Sequence, residues 1–235
     1  LKQITNWRMA TVADVEANGL EDATVIHILS YHMQQGKIGD IHGSLKDRLI
    51  KFFNYHIDNR MPVVGHNFKW YDIPLCERLL GIDLSELMVI DTLILSWYLN
   101  VDRDQHGLGT FHEDYGIKKP KVQNHRWEAP KKEHWNTEEG HKRRLERHHK
   151  IMSIRCGDDV KINKALWEDF KERLTDMYSK VKFYVDSGAV DGKRVSEDEI
   201  CYIDQYKGSS TVDEYIDRVL TFLMFKGDTA ALREK

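Results

Sequence analysis

A chain of 235 residues is long enough to bury one sizeable core with a helical annex, and 41% hydrophobic with 31% charged residues is an ordinary balance for a folded domain. A net charge of −3 does not mark the whole chain as a nucleic-acid binder, and no apolar run reaches membrane-spanning length. Three scattered cysteines, Cys76, Cys156 and Cys201, offer neither a zinc knuckle nor a disulfide framework, so a reducing cytoplasm is the expected compartment.

No signal peptide is expected at the start, and Leu1 in place of an initiator Met points to a processed or excised chain. Thr11-Val-Ala-Asp-Val is β-rich and ends in a carboxylate pair; Ala23 to Tyr31 reads as a second strand. A weaker third strand follows the Gln-Gly-Lys turn and ends near Ile41. Ser44 is placed to cap a helix with Leu45, Leu49, Ile50, Phe52 and Phe53 on one face. Pro62-Val-Val-Gly is a brief buried strand, and the helix after it, from about Ile73 to Leu80, is stopped by Gly81. Leu87-Met-Val-Ile is another short strand, and Asp91 caps a helix Thr92–Leu99.

Beyond Asn100 the texture changes. His106 to Tyr115 reads as a helix, residues 116–132 are basic and proline-punctuated, and Glu138 to Lys150 is a very polar helix. An amphipathic helix opens near Asp158-Asp159, with Ile162, Ala165, Leu166, Phe170 and Leu174 at helical spacing. After a turn at Asp186-Ser-Gly come helices near Ser196–Tyr206 and Thr211–Phe225. Strands first, then alternating helix and strand, then helices indicate an α/β layer fold. From Lys118 to Lys150 there are eleven Lys/Arg against five Asp/Glu, an excess suited to holding phosphates at one edge or to a solvated basic loop.

Three short motifs carry chemistry. Asp14-Val-Glu16 lies on a strand, where residues two apart share a face, so two carboxylates repel unless a cation neutralises them; taken alone, the pair reads more readily as an exposed strand end. His66-Asn67-Phe68-Lys69-Trp70-Tyr71-Asp72 leads from strand to helix and sets Asp72 at the helix start, as ligand or as N-cap. Arg155-Cys-Gly-Asp158-Asp159-Val opens a helix, where an acid is favoured in any case.

Taken in order, D-x-E, then N-x3-(F/Y)-D about fifty residues on, then an acid on an amphipathic helix, the chain resembles the DEDD (DnaQ-like) 3′–5′ exonucleases. Asp14-Val-Glu-Ala-Asn18-Gly-Leu20, Ile90-Asp-Thr-Leu-Ile-Leu-Ser, His106-Gly-Leu and Asp159-Val-Lys-Ile-Asn-Lys-Ala-Leu look like the proofreading domains of podophage family-A DNA polymerases. The resemblance covers residues 8–175. It implies an RNase H-like mixed five-stranded sheet flanked by helices over residues 1–183, with residues 184–235 a helical extension or connector to a polymerase module. It implies that Asp14, Glu16, Asp72 and Asp159 hold two divalent ions, Mg²⁺ or Mn²⁺, and that nucleoside 5′-monophosphates leave single-stranded or frayed DNA 3′ ends. In that scheme Asp14 bridges the ions, Glu16 and Asp159 serve the ion that activates water, and Asp72 serves the other. Asn18, Leu20, His66, Asn67, Phe68 and His106 are the expected strand contacts, with core packing the other reading of Leu20, Phe68 and Trp70. Lys69, Arg126, Arg143 and Arg144 are candidate phosphate contacts, and Trp127 and Trp135 interleave the basic segment.

One position departs from the pattern. The family's DEDDy branch has a Tyr four residues before the last Asp, its DEDDh branch a His five before; here Arg155 and Ile154 stand there. Arg155 cannot serve as a base, since guanidinium stays charged, but it can bind phosphate or neutralise the carboxylates. Three readings stay open: an active exonuclease, a catalytically impaired DNA-binding or polymerase-interaction module of the same fold, and a 3′–5′ exoribonuclease.

Overall fold

A computed structural model of the chain describes residues 3–19, 22–118, 128–134, 136–186 and 209–226. Five strands, β1 (Thr11–Ala17), β2 (Ile26–His32), β3 (Ile38–His42), β4 (Val63–Gly65) and β5 (Val89–Asp91), form one sheet in the order β3-β2-β1-β4-β5. The β1–β2 and β2–β3 pairs are antiparallel, whereas β1–β4 and β4–β5 are parallel. Around it lie α1 (Lys46–Asp58), α2 (Asp72–Leu80), α3 (Thr92–Leu99), α4 (Glu138–Asp186) and α5 (Val212–Thr221). This is the RNase H-like architecture that the resemblance implies, with a helix added at the C-terminal side.

Alternation along the strands divides the core. Ala13, Val15, Ala17, Val63 and Val89 pack with Leu49, Phe53, Leu75 and Cys76 of α1 and α2. Val12, Val64 and Ile90 face the other way, against Ile94 and Leu95 of α3, Leu166, Trp167 and Phe170 of α4, and Tyr215, Ile216 and Leu220 of α5. The α5 helix is thus part of the main core, and residues 183 and 184 lie within α4. Gly65 ends β4 under the ring of Phe68: an added Cβ would fall 2.3 Å from that ring. Gly65→Ala is expected to destabilise the fold by about 1–3 kcal/mol, read by urea unfolding, whereas Gly157→Ala, which meets open space, costs nothing measurable.

Several local expectations are corrected. Ser44 caps nothing; Leu45 precedes α1 and supplies no side-chain cap. Asp72 is inside the first turn of α2, after Tyr71, so the N-cap reading does not hold. His106 to Tyr115 contains only a short 3-10 turn, Leu108–Thr110, because Arg103 draws the carbonyls of Gln105 (2.7 Å) and Thr110 (2.9 Å) onto its guanidinium. No helix opens at Asp158: Arg155 and Asp159 lie in the middle of α4, which runs unbroken for 49 residues. Gly81, at φ 72°, does end α2, and Asp91 does cap α3, accepting from the Leu93 N–H at 3.0 Å. The helix expected near Ser196–Tyr206, Leu20, the segment 119–127 with Arg126 and Trp127, and Trp135 lie outside the described residues.

Histidines join the helices to the sheet. His56 is buried with Nδ1 2.7 Å from the Phe52 carbonyl and Nε2 2.9 Å from Thr11 Oγ1, a pairing that neutral imidazole satisfies. On α4, His148 meets His27 at 4.7 Å between ring centres, and His149 stacks on His42 at 4.5 Å. Burial lowers the pKa of both His56 and His149, and His42 and His27 lower that of His149 further. Their contribution to stability is therefore complete above about pH 6.5 and is lost as the pH falls toward the depressed folded values. Urea midpoints are expected to fall between pH 7.5 and pH 5.5, less steeply in His56→Gln, which keeps a hydrogen-bonding side chain at that position.

Candidate metal centre

Strand periodicity sets Asp14 and Glu16 on the same face of β1, the face against which α4 packs. On α4, Arg155 and Asp159 are four residues apart and so share one side of the helix. The result is a cluster in which Asp14, Glu16 and Asp159 each present a ligand atom within 4.8 Å of the others. Of the Asp158-Asp159 pair, Asp159 joins this cluster, while Asp158 Oδ1 accepts from Lys161 Nζ at 2.7 Å.

The cluster already contains a cation. Arg155 Nε donates to Glu16 Oε1 at 3.1 Å and to Asp159 Oδ2 at 3.3 Å, with its side chain only 17% exposed. The guanidinium here stands in for part of the charge that a metal ion would supply. Next to it, Cys156 Sγ donates to the Asp14 carbonyl (3.2 Å) and to Asp14 Oδ2 (3.4 Å). Burial, then the nearby Asp14 and Glu16 carboxylates, push the thiol pKa well up, so it remains a donor. Further along the junction, Ser30 and Ser153 both bond Asp40, tying α4 to β2 and β3.

Asp72 stands apart from this triad. It is 3% exposed, and its Oδ1 makes no hydrogen bond among the described residues. Burial, then Asp91 and Glu16, raise its pKa well above the usual carboxylate range. A buried acid that is costly to ionise, near Glu16, fits a site completed by a divalent cation. The donor set of carboxylate oxygens likewise fits a hard ion such as Mg²⁺ or Mn²⁺.

Two residues read from the sequence only as a helix cap and as part of a motif, Asp91 and Tyr71, organise this region. Asp91 is buried and holds the loop before α2: its Oδ1 accepts from Asn67 N (2.9 Å) and its Oδ2 from Lys69 N (3.0 Å). Burial raises its pKa to about 6 against the lowering effect of those bonds. Tyr71 donates to the Gly19 carbonyl at 2.5 Å, and burial together with Asp72, Glu16 and Asp14 raises its pKa to about 12. Its place in N-x3-(F/Y)-D was the available signal, since a phenol beside three acids holds the loop at the end of β1.

The expected strand contacts are dispersed. Asn18 spends its amide locally, donating to Thr24 Oγ1 and accepting from Thr24 and Val25 N–H. His66 Nδ1 lies 2.9 Å from Thr92 Oγ1, which donates to Asn163 of α4. Asn67 takes a left-handed conformation, φ 59°, with its Oδ1 buried and without a hydrogen bond among the described residues. Phe68 is fully buried in the α1/α2 side of the core, so core packing holds and no ring face is left for a base. His106 is tied to Ser96 Oγ at 2.7 Å, beside Trp97. Lys69 Nζ donates to the Met224 carbonyl, and Arg143 pairs with Glu139.

No family model matches the chain, and no curated protein matches it. Among solved structures, the family B DNA polymerase from the hyperthermophilic archaeon Pyrobaculum calidifontis aligns with a TM-score of 0.46 and 14% identity, over 73% of this chain. The chain spans 25% of that polymerase. Brucella melitensis NrnC bound to pGG aligns with a TM-score of 0.40 and 18% identity, over 73% of this chain and 84% of its own. No described helix is long and apolar enough to cross a membrane.

Proposed function

We propose that the chain is a metal-dependent 3′–5′ exonuclease acting on single-stranded or frayed DNA ends, of the proofreading kind found in podophage family-A polymerases. The observation that carries this reading is the triad of half-buried Asp14 with buried Glu16 and Asp159, neutralised in part by Arg155. Asp14, Glu16, Asp159 and Asp72 would hold two divalent ions, which supply charge against the developing phosphorane and acidify the attacking water. The chain's own contribution is to fix the carboxylates on β1 and α4, to keep the Cys156 thiol protonated against Asp14, and to exclude water beneath them. Arg155, released from Glu16 and Asp159, would bind a non-bridging phosphate oxygen as a permanent cation. Residues 1–183 carry the nuclease site in this reading, and residues 184–235, whose α5 packs into the same core, form an extension toward a polymerase module.

Arg155 also favours a second reading, a binding module in which the guanidinium has replaced the metal. Digestion of a 5′-labelled single-stranded DNA oligomer with Mg²⁺ or Mn²⁺, beside a matched RNA oligomer, tests both. A ladder descending from the 3′ end is expected on DNA. A ladder on RNA alone would move the substrate to RNA, and no ladder on either would leave the binding module.

A further inference from the structure

On the sheet face opposite the acids, α1 and the β2–β3 hairpin enclose a groove of about 520 Å³. Tyr31, which forms part of its wall, pairs with Ala13, and the Ala13 side chain points away from that of Asp14. Three cations border the groove: Lys37 from the hairpin, and Arg48 and Lys51 from α1. None of the three is in an ion pair among the described residues, and no carboxylate lines the groove. Tyr31, Phe52 and Tyr55 supply aromatic surface; Tyr31 and Phe52 are 5.3 Å apart between ring centres, and Tyr55 is 47% exposed. Arg48, Lys51 and Tyr55 follow helical spacing and so line one stripe of α1.

We propose that this groove is a second binding surface for single-stranded nucleic acid, separate from the acid cluster. The chemistry matches that ligand at both of its recurring parts. Unpaired cations meet backbone phosphates, and an exposed tyrosine offers a stacking plane that tolerates any base. A strand end engaged at the acids is then held by its distal nucleotides behind the sheet, which raises its local concentration at the cleavage site. The proposal takes its ligand class from the nuclease reading, but its test requires no cleavage.

The test measures binding of a fluorescent 20-nucleotide single-stranded DNA by the full chain in EDTA across a salt series. The combined Lys37→Glu, Arg48→Glu, Lys51→Glu variant is expected to bind at least tenfold more weakly. Its slope of log affinity against log salt is expected to fall by about 2, the loss of three single-strand phosphate contacts. Tyr55→Ala is expected to weaken binding about fivefold or more with an unchanged slope. Circular dichroism and melting should match the native chain, because all three cations are exposed. Native affinity in the triple variant would overturn the groove while leaving the nuclease reading standing. Equal competition by inorganic polyphosphate, with no effect of Tyr55→Ala, would overturn the nucleic-acid assignment. Hydrolysis of a dinucleotide is expected to be the same in native and triple variant; a selective loss there would assign these side chains to the cleavage site and also overturn the proposal.

Discussion

Asp159→Asn is expected to slow exonucleolytic release of nucleotides by about a thousandfold, whereas Asp158→Asn, one residue away, stays within about threefold of the native rate. The contrast follows from where α4 directs the two side chains. Asp159 is within ligand distance of Asp14 and Glu16, and Asp158 faces Lys161. A thousandfold loss is about 4 kcal/mol of transition-state stabilisation, the size seen when one preorganised electrostatic group is removed. The amide keeps the shape of the acid and still accepts from Arg155, so melting should change little. Single-turnover rates on a labelled oligomer decide the matter, and equal rates for the two variants would remove Asp159 from the metal site. Asp14→Ala is expected to abolish the ladder altogether.

The second large effect concerns Arg155 and has opposite signs with and without metal. In chelator, Arg155→Gln leaves Asp14, Glu16 and Asp159 within 4.8 Å of one another with the Arg155 cation removed. Repulsion among them, and the loss of two buried charge pairs, is expected to destabilise the variant by about 2–4 kcal/mol. With Mn²⁺ the same change removes a competitor from the carboxylates. Mn²⁺ is expected to bind the variant at least tenfold more tightly and to raise its melting temperature more than that of the native chain. Titration calorimetry and thermal melts at fixed pH read both halves. If Mn²⁺ binds native and variant alike, the guanidinium and the ion do not share a site. Arg155→Tyr, in the same assay and in digestion, separates a lost water-positioning phenol from a gained counter-cation.

How much of this was legible in the residues depends on the range of the interactions that decided each feature. The five strands were visible because their apolar residues are contiguous or alternate locally, and Asp14 with Glu16 follows from strand period alone. The Asp91 cap and the Gly81 stop are likewise written within one turn of helix. The unbroken course of α4 was not visible. Its first third is polar, and Gly157 with two acids in sequence looks like a helix beginning. Continuity comes instead from the burial of Met152 and Cys156 on Ile28 of β2, a contact more than a hundred residues away along the chain. The short turn at Leu108–Thr110 fails as a helix for a similar reason, since Arg103 captures the carbonyls that a helix would use. The position of Arg155 was identified as unusual in sequence, but its pairing with Asp159 required an unbroken α4, and its pairing with Glu16 required that helix to be laid across β1.

That placement also sets when the acid cluster is complete during synthesis. Glu16 and Arg155 are 139 positions apart, so β1 leaves the ribosome well before the helix that completes its cluster. At usual elongation rates the interval is on the order of ten seconds. Until α4 docks, Asp14 and Glu16 lack Asp159, and a nascent or prematurely ended chain carries only half of the proposed metal site.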